Sequence, residues 1–321
     1  MQGTAPAAPF DSRRAAPLRD AVGARMRELL ARHRGGVYDL VEYHLGWRDE
    51  HGHERAGAAG KLMRPLICLT AASGYGDTAD ALGAAAAVEL LHAFSLVHDD
   101  IEDGDQERRH RPTLWALHGV SLALNAGDGL FALAYRALHE AAAALPPERA
   151  VLALRLFDSA CLRMIEGQHY DLAFEATPSV SADEYLAMSA GKTGALLGAS
   201  LALGALCGGA PGDDVERLQE AGVEIGLAFQ AVDDALSVWG DASRTGKAVG
   251  NDVARGKKSL PAVLAADRGL PVEHEDVRDA VMRLAGDRAG RARALIAATA
   301  MAPSAIDELD GVIEFTLRRE S

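Results

Sequence analysis

Aromatic residues are scarce in this chain, at 5% of its 321 residues, and only three cysteines are present. Cys68, Cys161 and Cys207 show no paired spacing, so no disulfide framework is expected and a reduced, cytoplasmic protein is indicated. A membrane anchor is not expected either, because the longest apolar stretch, residues 195–207, is short and contains glycine. Residues 1–17 lack the apolar segment of a signal peptide.

Positive charge is also in deficit. The chain has 33 Lys and Arg residues against 46 Asp and Glu residues, which gives a formal net charge of −13. No nucleic-acid partner is expected, because phosphate backbones are bound by a basic surface. A small anionic substrate is compatible with this charge, since it needs only a local group of cations.

The composition favours helices. Hydrophobic residues make up 49% of the chain, and Ala and Leu are abundant. There is no run of alternating β-branched residues long enough to predict a sheet. The sequence therefore predicts an all-α protein, with a disordered tail at residues 1–17 and one helical domain at residues 18–321. The main helices are predicted at residues 18–34, 62–72, 79–103, 113–144, 147–172, 182–190, 195–207 and 213–239.

Two acidic residues stand at helical spacing near the end of one predicted helix. Asp99 and Asp103 are four residues apart and share a helix face with His92 and Ser95. Two carboxylates about 4 Å apart repel each other by roughly 4 kcal/mol at an effective dielectric constant near 20. Mg²⁺ would offset this repulsion, because it prefers hard carboxylate oxygens and keeps positions open for phosphate oxygens.

A lone pair of acids at this spacing is more often a solvated helix end than a metal site. Here the preceding residues 90–97 are mostly apolar, which predicts a buried helix up to the point where the acids begin. The next loop carries Arg108, Arg109 and Arg111. Acids and bases at one helix end are suited to holding a metal and a polyanion together.

A second acidic group repeats this pattern within another mostly apolar helix. Its members recur at roughly helical spacing and are Gln230, Asp233, Ser237 and Asp241, with Asp234 beside them. Buried charges are costly unless they are paired or bound to a metal. The glycine-punctuated segment that follows contains Lys247, Lys257 and Lys258.

Further basic residues stand at predicted helix boundaries. Lys61 and Arg64 lie one turn apart at a helix start, where backbone N–H groups already favour anions. Lys192 lies at a glycine-flanked helix break. Each of these side chains alone is more often an exposed surface residue. Together with the acidic groups, they indicate a polyanion site.

Six segments occur in order between residues 60 and 264: GKLMRP, LVHDDIEDGDQERRHRPT, GQHYDL, GKTGAL, FQAVDDALSVWGD and GKAVGNDVARGKKSLP. This ordered set resembles the trans-isoprenyl diphosphate synthase family, the polyprenyl synthetases, and especially its bacterial short-chain geranylgeranyl and farnesyl diphosphate synthases. The resemblance implies a single-domain bundle of antiparallel helices around a deep central cavity, usually in a homodimer. The implied reaction is head-to-tail condensation of isopentenyl diphosphate with an allylic diphosphate, namely dimethylallyl, geranyl or farnesyl diphosphate.

The resemblance also implies roles for individual positions. Three Mg²⁺ ions, with substrate bound, would be held by Asp99, Asp103 and Asp233. The allylic diphosphate would contact Arg108, Lys192, Lys247 and Lys257. The isopentenyl diphosphate would contact Lys61, Arg64, His92 and Arg109. The reacting allyl group would be lined by Thr193 and Gln230. The catalytic set would then be Asp99, Asp103, Lys192, Asp233 and Lys247.

One departure from the family pattern leaves an alternative open. Ser237 stands where many members have a third aspartate, so this segment also resembles the second metal motif of class I terpene cyclases. A cyclase acting on a prenyl diphosphate is therefore the alternative, although it would need no second diphosphate site. A non-catalytic subunit of a heteromeric synthase is disfavoured because Asp99, Asp103 and Asp233 are retained. Glu102 has no assigned role.

Product length is expected to depend on two residues before the first acidic group. The resemblance places a floor of the cavity five residues before Asp99, at Phe94. Helical geometry places Ser95 more directly beneath Asp99. A bulky Phe94 beside a small Ser95 resembles geranylgeranyl and farnesyl producers, so we expect a twenty-carbon product, followed by a fifteen-carbon one.

Overall fold

Helices form nearly all of the regular structure in the computed structural model, which describes residues 15–55, 60, 62–240 and 257–318. In chain order they are α1 (Ala15–Ala31), α2 (Val37–His44), α3 (Met63–Ser73), α4 (Leu82–Glu102), α5 (Leu114–His118), α6 (Val120–Ala142), α7 (Pro147–Glu175), α8 (Ala182–Ser189), α9 (Ala195–Gly208), α10 (Gly212–Trp239), α11 (Leu260–Arg268), α12 (Glu275–Ala297) and α13 (Pro303–Leu317). A 3₁₀ turn, Thr78–Ala81, precedes α4, and a π-helical segment, Ala190–Gly194, joins α8 to α9. Two short strands, β1 (Glu107–Arg108) and β2 (Arg111–Pro112), form an antiparallel hairpin. The predicted all-α fold is confirmed.

The core is arranged around α9, which is apolar on all faces and almost entirely buried. A helix of this kind is stable only when neighbours cover every side. Helices α3, α7 and α10 pack against it, while α4 packs mainly on α6 and α10 also contacts α12. Asp99, Asp171 and Asp233 lie in the C-terminal parts of α4, α7 and α10, respectively.

Close backbone contact fixes the π-helical segment against α7. A Cβ added to Gly167 would lie 2.2 Å from the backbone nitrogen of Lys192, and one added to Gly191 would lie 2.6 Å from the carbonyl oxygen of Arg163. A side chain at either glycine would force the two elements apart. The contact holds Lys192 and Thr193 in a helical register that is often found at functional sites.

Three helix boundaries differ from the sequence prediction. Helix α1 begins at Ala15, whereas the periodicity predicts a start at Leu18. The helix predicted over residues 113–144 is divided at Gly119, whose φ of 81° is not helical. The predicted break near residues 191–194 is wrong, because Ala182–Gly208 is one continuous helix. The glycines there serve close packing, not chain reversal.

Two helices, Thr78–Glu102 and Ala182–Gly208, are long and apolar enough to cross a membrane. The second contains residues 195–207 but is longer than that stretch, so its length does not exclude a membrane span. Neighbouring elements bury 67% of the most apolar window of the first helix and 83% of that of the second. Their apolar faces are thus covered by the rest of the chain, as in core helices.

Candidate active site

A cavity of about 860 Å³ lies among α4, α7, the π-helical segment and α10. The sequence-predicted site residues that line it are Arg64, His92, Phe94, Ser95, Asp99, Asp103, Arg108, Arg109, Lys192, Thr193, Gln230, Asp233 and Lys257. Residues far apart in the chain are thereby brought to one place. Two further sequence-predicted site residues, Lys61 and Lys247, lie outside the described residues, as does Asp241 of the second acidic group.

The first acidic group lies at the C-terminal end of α4. Burial raises the pKa of Asp99 to about 6, with Lys192 opposing the shift and the neighbouring Asp103 reinforcing it. Lys257 donates a hydrogen bond from Nζ to Asp103 Oδ1 over 2.9 Å. The two carboxylates thus interact with each other and with lysines from distant parts of the chain, as a polyanion site requires.

Asp100 faces away from this cavity. It is 2% exposed, and its Oδ1 accepts a hydrogen bond of 2.6 Å from Arg108 Nε. Burial raises the pKa of Asp100, while Arg108 opposes that shift. The pair fixes the β1–β2 hairpin to α4 and holds Arg108 beside the acidic group. The sequence prediction gives Asp100 no role, although its position about 100° around the helix from Asp99 directs the two carboxylates differently.

Glu102 has a partner in the GQHYDL segment of α7. Gln168 Nε2 donates to Glu102 Oε2 over 2.6 Å, and both residues line the cavity. The contact links the end of α4 to α7.

Lys192 is also held by α7. Its Nζ donates to Asp171 Oδ2 over 2.5 Å. Asp171 lines the cavity and was missed from the sequence, because the pairing joins residues on different helices. Next to it, Thr193 Oγ1 donates to Gln230 Oε1 over 3.0 Å, which confirms only that these two polar side chains meet at the cavity wall.

The two aspartates of the second acidic group have different surroundings. Asp233 and Asp234 both border the cavity, but Asp234 is 8% exposed and its carboxylate is engaged by several donors. Burial raises the pKa of Asp234 to about 6, and the hydrogen bonds from Tyr185, Leu260 and Gln230 oppose that shift. Ser237 Oγ donates to the carbonyl oxygen of Asp234 over 2.7 Å, so this serine makes a local helix contact.

A basic corner forms where α3 meets α4 and the hairpin. Arg64 Nη1 and His92 Nε2 are 3.1 Å apart. Burial lowers the pKa of His92 well below its usual value, and Arg64 and Arg109 lower it further, so His92 is neutral and can accept from Arg64. Arg64 Nε is buried with no hydrogen-bond partner in the described part of the chain, which leaves a donor for a ligand.

Two other residues shape this corner. A Cβ on Gly60 would lie 2.5 Å from Arg109 Nη1, so the guanidinium lies close against the chain at this glycine, whose φ of 107° also favours glycine. Glu89, on α4, is 7% exposed and was missed from the sequence. Burial raises the pKa of Glu89 to about 7, while Arg64 and Arg109 oppose the shift.

Aromatic side chains pack against Phe94, which lines the cavity. Its ring centroid lies 4.7 Å from that of His98 and 5.0 Å from that of Phe131 on α6. Phe131 continues to Tyr135 at 5.0 Å. Ser95 also lines the cavity, with Oγ donating to the carbonyl oxygen of His92 over 2.9 Å. Phe131 was missed because it belongs to another helix.

The acidic residues fit a metal that is bound jointly with a ligand. Within residues 15–55, 60, 62–240 and 257–318, no three His, Cys, Asp or Glu side chains converge closely enough to hold a metal by themselves. Mg²⁺ commonly binds through one or two carboxylates together with substrate phosphates. Asp99, Asp103 and Asp233 supply hard oxygen donors in the same cavity as several cations, which matches that mode.

The structure defines an all-helical protein whose cavity brings two acidic groups and several basic side chains together. The chain matches the polyprenyl synthetase family model over residues 47–297. The chain belongs to the polyprenyl synthetase family.

Individual relatives agree with this assignment. The chain is 46% identical over 242 residues to a geranylgeranyl diphosphate synthase of Mycobacterium tuberculosis, covering 75% of this chain and 66% of that protein. It is 46% identical over 231 residues to a (2E,6E)-farnesyl diphosphate synthase of Mycobacterium bovis, covering 72% of this chain and 63% of that protein. The alignments thus span less than two thirds of either relative. A crystal structure of a polyprenyl synthetase from Streptomyces coelicolor A3(2) superposes with a TM-score of 0.83 at 33% identity, covering 94% of this chain and 98% of that one.

Proposed function

We propose that the protein is a prenyltransferase that condenses isopentenyl diphosphate head-to-tail with an allylic diphosphate. The product is a short-chain trans-prenyl diphosphate, and pyrophosphate is released. One observation carries the proposal: both acidic groups, Lys192 and Lys257 line the same cavity, which is bordered by aromatic side chains at Phe94. The two relatives described above are named as a geranylgeranyl and a farnesyl diphosphate synthase.

The allylic diphosphate is proposed to bind between the acidic groups. Asp99, Asp103 and Asp233 would hold Mg²⁺, three ions with substrate present, and Arg108, Lys192, Lys247 and Lys257 would contact the diphosphate. Bound Mg²⁺ would supply positive charge that stabilises the departing pyrophosphate. The lysines add to this stabilisation, because their charges are fixed where negative charge develops as the allylic C–O bond breaks.

The isopentenyl diphosphate is proposed to bind at the basic corner, through Lys61, Arg64, His92 and Arg109. The unpartnered Nε of Arg64 supports this assignment. From there the alkene would attack the allylic cation near Thr193 and Gln230, and the released pyrophosphate would take the proton that is lost. Holding both reactants in one cavity lowers the barrier by orienting them.

The cyclase alternative is not favoured by the relatives, which are named as prenyl diphosphate synthases. The basic corner is also better explained by a second diphosphate substrate than by cyclisation of one substrate.

Product length is proposed to be set by Phe94, with Ser95 beside it. Both line the cavity, and Phe131 supports the Phe94 ring from behind. We propose a twenty-carbon product, followed by a fifteen-carbon one. Of the two relatives described above, one is named a geranylgeranyl diphosphate synthase and the other a farnesyl diphosphate synthase.

A homodimer and a cytoplasmic location complete the proposal. The exposed large apolar side chains of the described residues lie almost all on three consecutive helices, α5 to α7: Leu117, Val120, Leu122, Leu124, Val151, Leu162, Ile165 and Tyr170. Apolar surface of this kind supports an interface between two copies.

The three cysteines are all free and buried, which supports a reducing compartment.

The proposal is tested by a condensation assay with isopentenyl and farnesyl diphosphates and MgCl₂. Asp99→Asn and Asp233→Asn are each expected to lower kcat by about a hundredfold or more, by analogy with lost electrostatic stabilisation elsewhere. Asp279→Asn, at an exposed position on α12, is the matched control and should leave the rate unchanged. Full activity in both cavity variants would exclude the proposed site.

A further inference from the structure

The buried carboxylate of Asp234 is a meeting point of three elements. Its Oδ2 accepts from the Tyr185 hydroxyl of α8 over 2.5 Å and from the backbone N–H of Leu260 over 2.7 Å, and its Oδ1 accepts from Gln230 Nε2 over 2.8 Å. Buried carboxylates are stable only when donors replace the lost water. Asp234 is therefore occupied by protein donors on both oxygens.

The bond from Leu260 caps a helix from outside. Leu260 is the first residue of α11, where backbone N–H groups lack partners within the helix. Ser259, at the N-cap position, makes no side-chain capping bond. Asp234 on α10 supplies the missing acceptor, and its negative charge suits the positive end of the helix dipole.

This cap also bears on the first acidic group. Lys257 lies three residues before Leu260, and its Nζ donates to Asp103 Oδ1 over 2.9 Å. Three residues of extended chain span at most about 11 Å. A displacement of the first residue of α11 would therefore also displace the backbone of Lys257.

We propose that Asp234 and Tyr185 are positioning residues that fix the start of α11 and so hold Lys257 beside Asp103. On this view the adjacent aspartates divide their roles: Asp233 serves the metal and diphosphate, and Asp234 serves the chain segment that carries Lys257. Asp234 also orients Gln230, because taking the amide N–H₂ leaves Gln230 Oε1 to accept from Thr193. The inference rests on the proposed function only for the identity of the anion.

A double-mutant cycle tests this coupling. Tyr185→Phe removes one donor and keeps the ring, and Lys257→Met removes the charge at similar length. The probe is inorganic pyrophosphate with MgCl₂, and its Kd is measured by titration calorimetry. Tyr185→Phe should weaken binding about threefold to tenfold in the wild-type background, but less than about twofold in the Lys257→Met background, since residues that act through one another are not additive.

The controls separate positioning from general damage and from metal ligation. Tyr38→Phe, on α2 and away from the cavity, keeps the ring that stacks on His33 and should leave the Kd unchanged. Hydrogen exchange of the Leu260 amide without metal should speed up in Tyr185→Phe, while the thermal midpoint of the whole protein changes little. Equal weakening by Tyr185→Phe in both backgrounds would overturn the proposal.

Asp234→Asn provides a second route if Tyr185→Phe does not fold. It should raise the Kd for pyrophosphate and leave the half-saturating MgCl₂ concentration within about twofold of wild type, unlike Asp99→Asn. A large shift in that concentration would make Asp234 a metal ligand and contradict the inference. If the wild-type protein shows no condensation activity, the proposed function is refuted. The positioning role of Asp234 and Tyr185 is still tested in that case, because the binding and hydrogen-exchange measurements do not need turnover.

Discussion

Lys192 Nζ and Asp171 Oδ2 lie 2.5 Å apart, which ties the π-helical segment to α7 at the edge of the cavity. The same ammonium group opposes the rise in the pKa of Asp99 that burial causes. One lysine is thus held by one carboxylate and stabilises the ionised form of another.

This arrangement predicts a pH effect for Lys192→Met. Asp99 must be ionised to bind a metal, and its pKa of about 6 makes activity rise as pH increases through that value. Without Lys192 the pKa of Asp99 rises further, so the acidic limb of the kcat/KM profile should move to higher pH. The rate at pH 8 should also fall on the order of a hundredfold. The profile is measured from pH 5 to 8.5 with limiting MgCl₂. Arg155→Met, an exposed cation on α7, should reproduce the wild-type curve.

Arg64→Met tests the assignment of the basic corner. We expect a KM for isopentenyl diphosphate raised at least about tenfold, because a charged hydrogen-bond donor to the diphosphate is lost. The KM for the allylic diphosphate should change by less than about twofold. Steady-state kinetics, with each substrate varied in turn, measure the two KM values separately. Equal effects on both substrates would contradict a separate isopentenyl site.

Phe94→Ala tests the floor of the cavity. Removing the ring opens space towards Phe131, so the product distribution should shift to longer chains, as measured by mass spectrometry of the dephosphorylated products. Phe131→Ala should lengthen products less, because the Phe94 ring remains in place. Phe94→Leu, which keeps much of the volume, is the control. An unchanged distribution in Phe94→Ala would remove Phe94 as the length determinant.

Glu89→Gln tests the buried acid in the basic corner through stability. The pKa of Glu89 in the folded protein is about 7, above the ordinary value of 4.5, so the folded state binds more protons between these limits. The free energy of unfolding of the wild type therefore falls as pH rises through this window. At pH 8, Glu89→Gln should be more stable than the wild type by up to about 3 kcal/mol, whereas the difference should be small at pH 5. Denaturant titrations at both pH values measure this. Glu216→Gln, at an exposed position on α10, should show no such dependence.

The fold class and most of the cavity could be predicted from the sequence, because helical spacing places Asp99 and Asp103 on one face and the ordered motifs supply the rest. The side chains that contact these cavity residues from other helices could not be predicted from the sequence. Asp171, Tyr185 and Phe131 each meet the site from another helix, and no local pattern encodes which helices will touch.

The π-helical segment was missed for a similar reason. Its two glycines indicate a chain break when only sequence neighbours are considered. Their actual role depends on two other helices: Gly191 packs against Arg163 and Gly167 on α7, and Gly194 packs against Val223 on α10. The roles of Asp100 and Asp234 could not be predicted from the sequence either. Each follows an acidic residue at the cavity, but each is held by a hydrogen bond from elsewhere in the chain.

The most direct test of the central claim is product identification with purified protein and MgCl₂. Isopentenyl diphosphate is supplied with dimethylallyl, geranyl or farnesyl diphosphate in separate reactions, and products are identified by mass spectrometry alongside released pyrophosphate. We predict a prenyl diphosphate of twenty carbons, or of fifteen, with one pyrophosphate released for each five-carbon unit added. Absence of any condensation product, or formation of a hydrocarbon or terpene alcohol from geranylgeranyl or farnesyl diphosphate alone, would contradict the account.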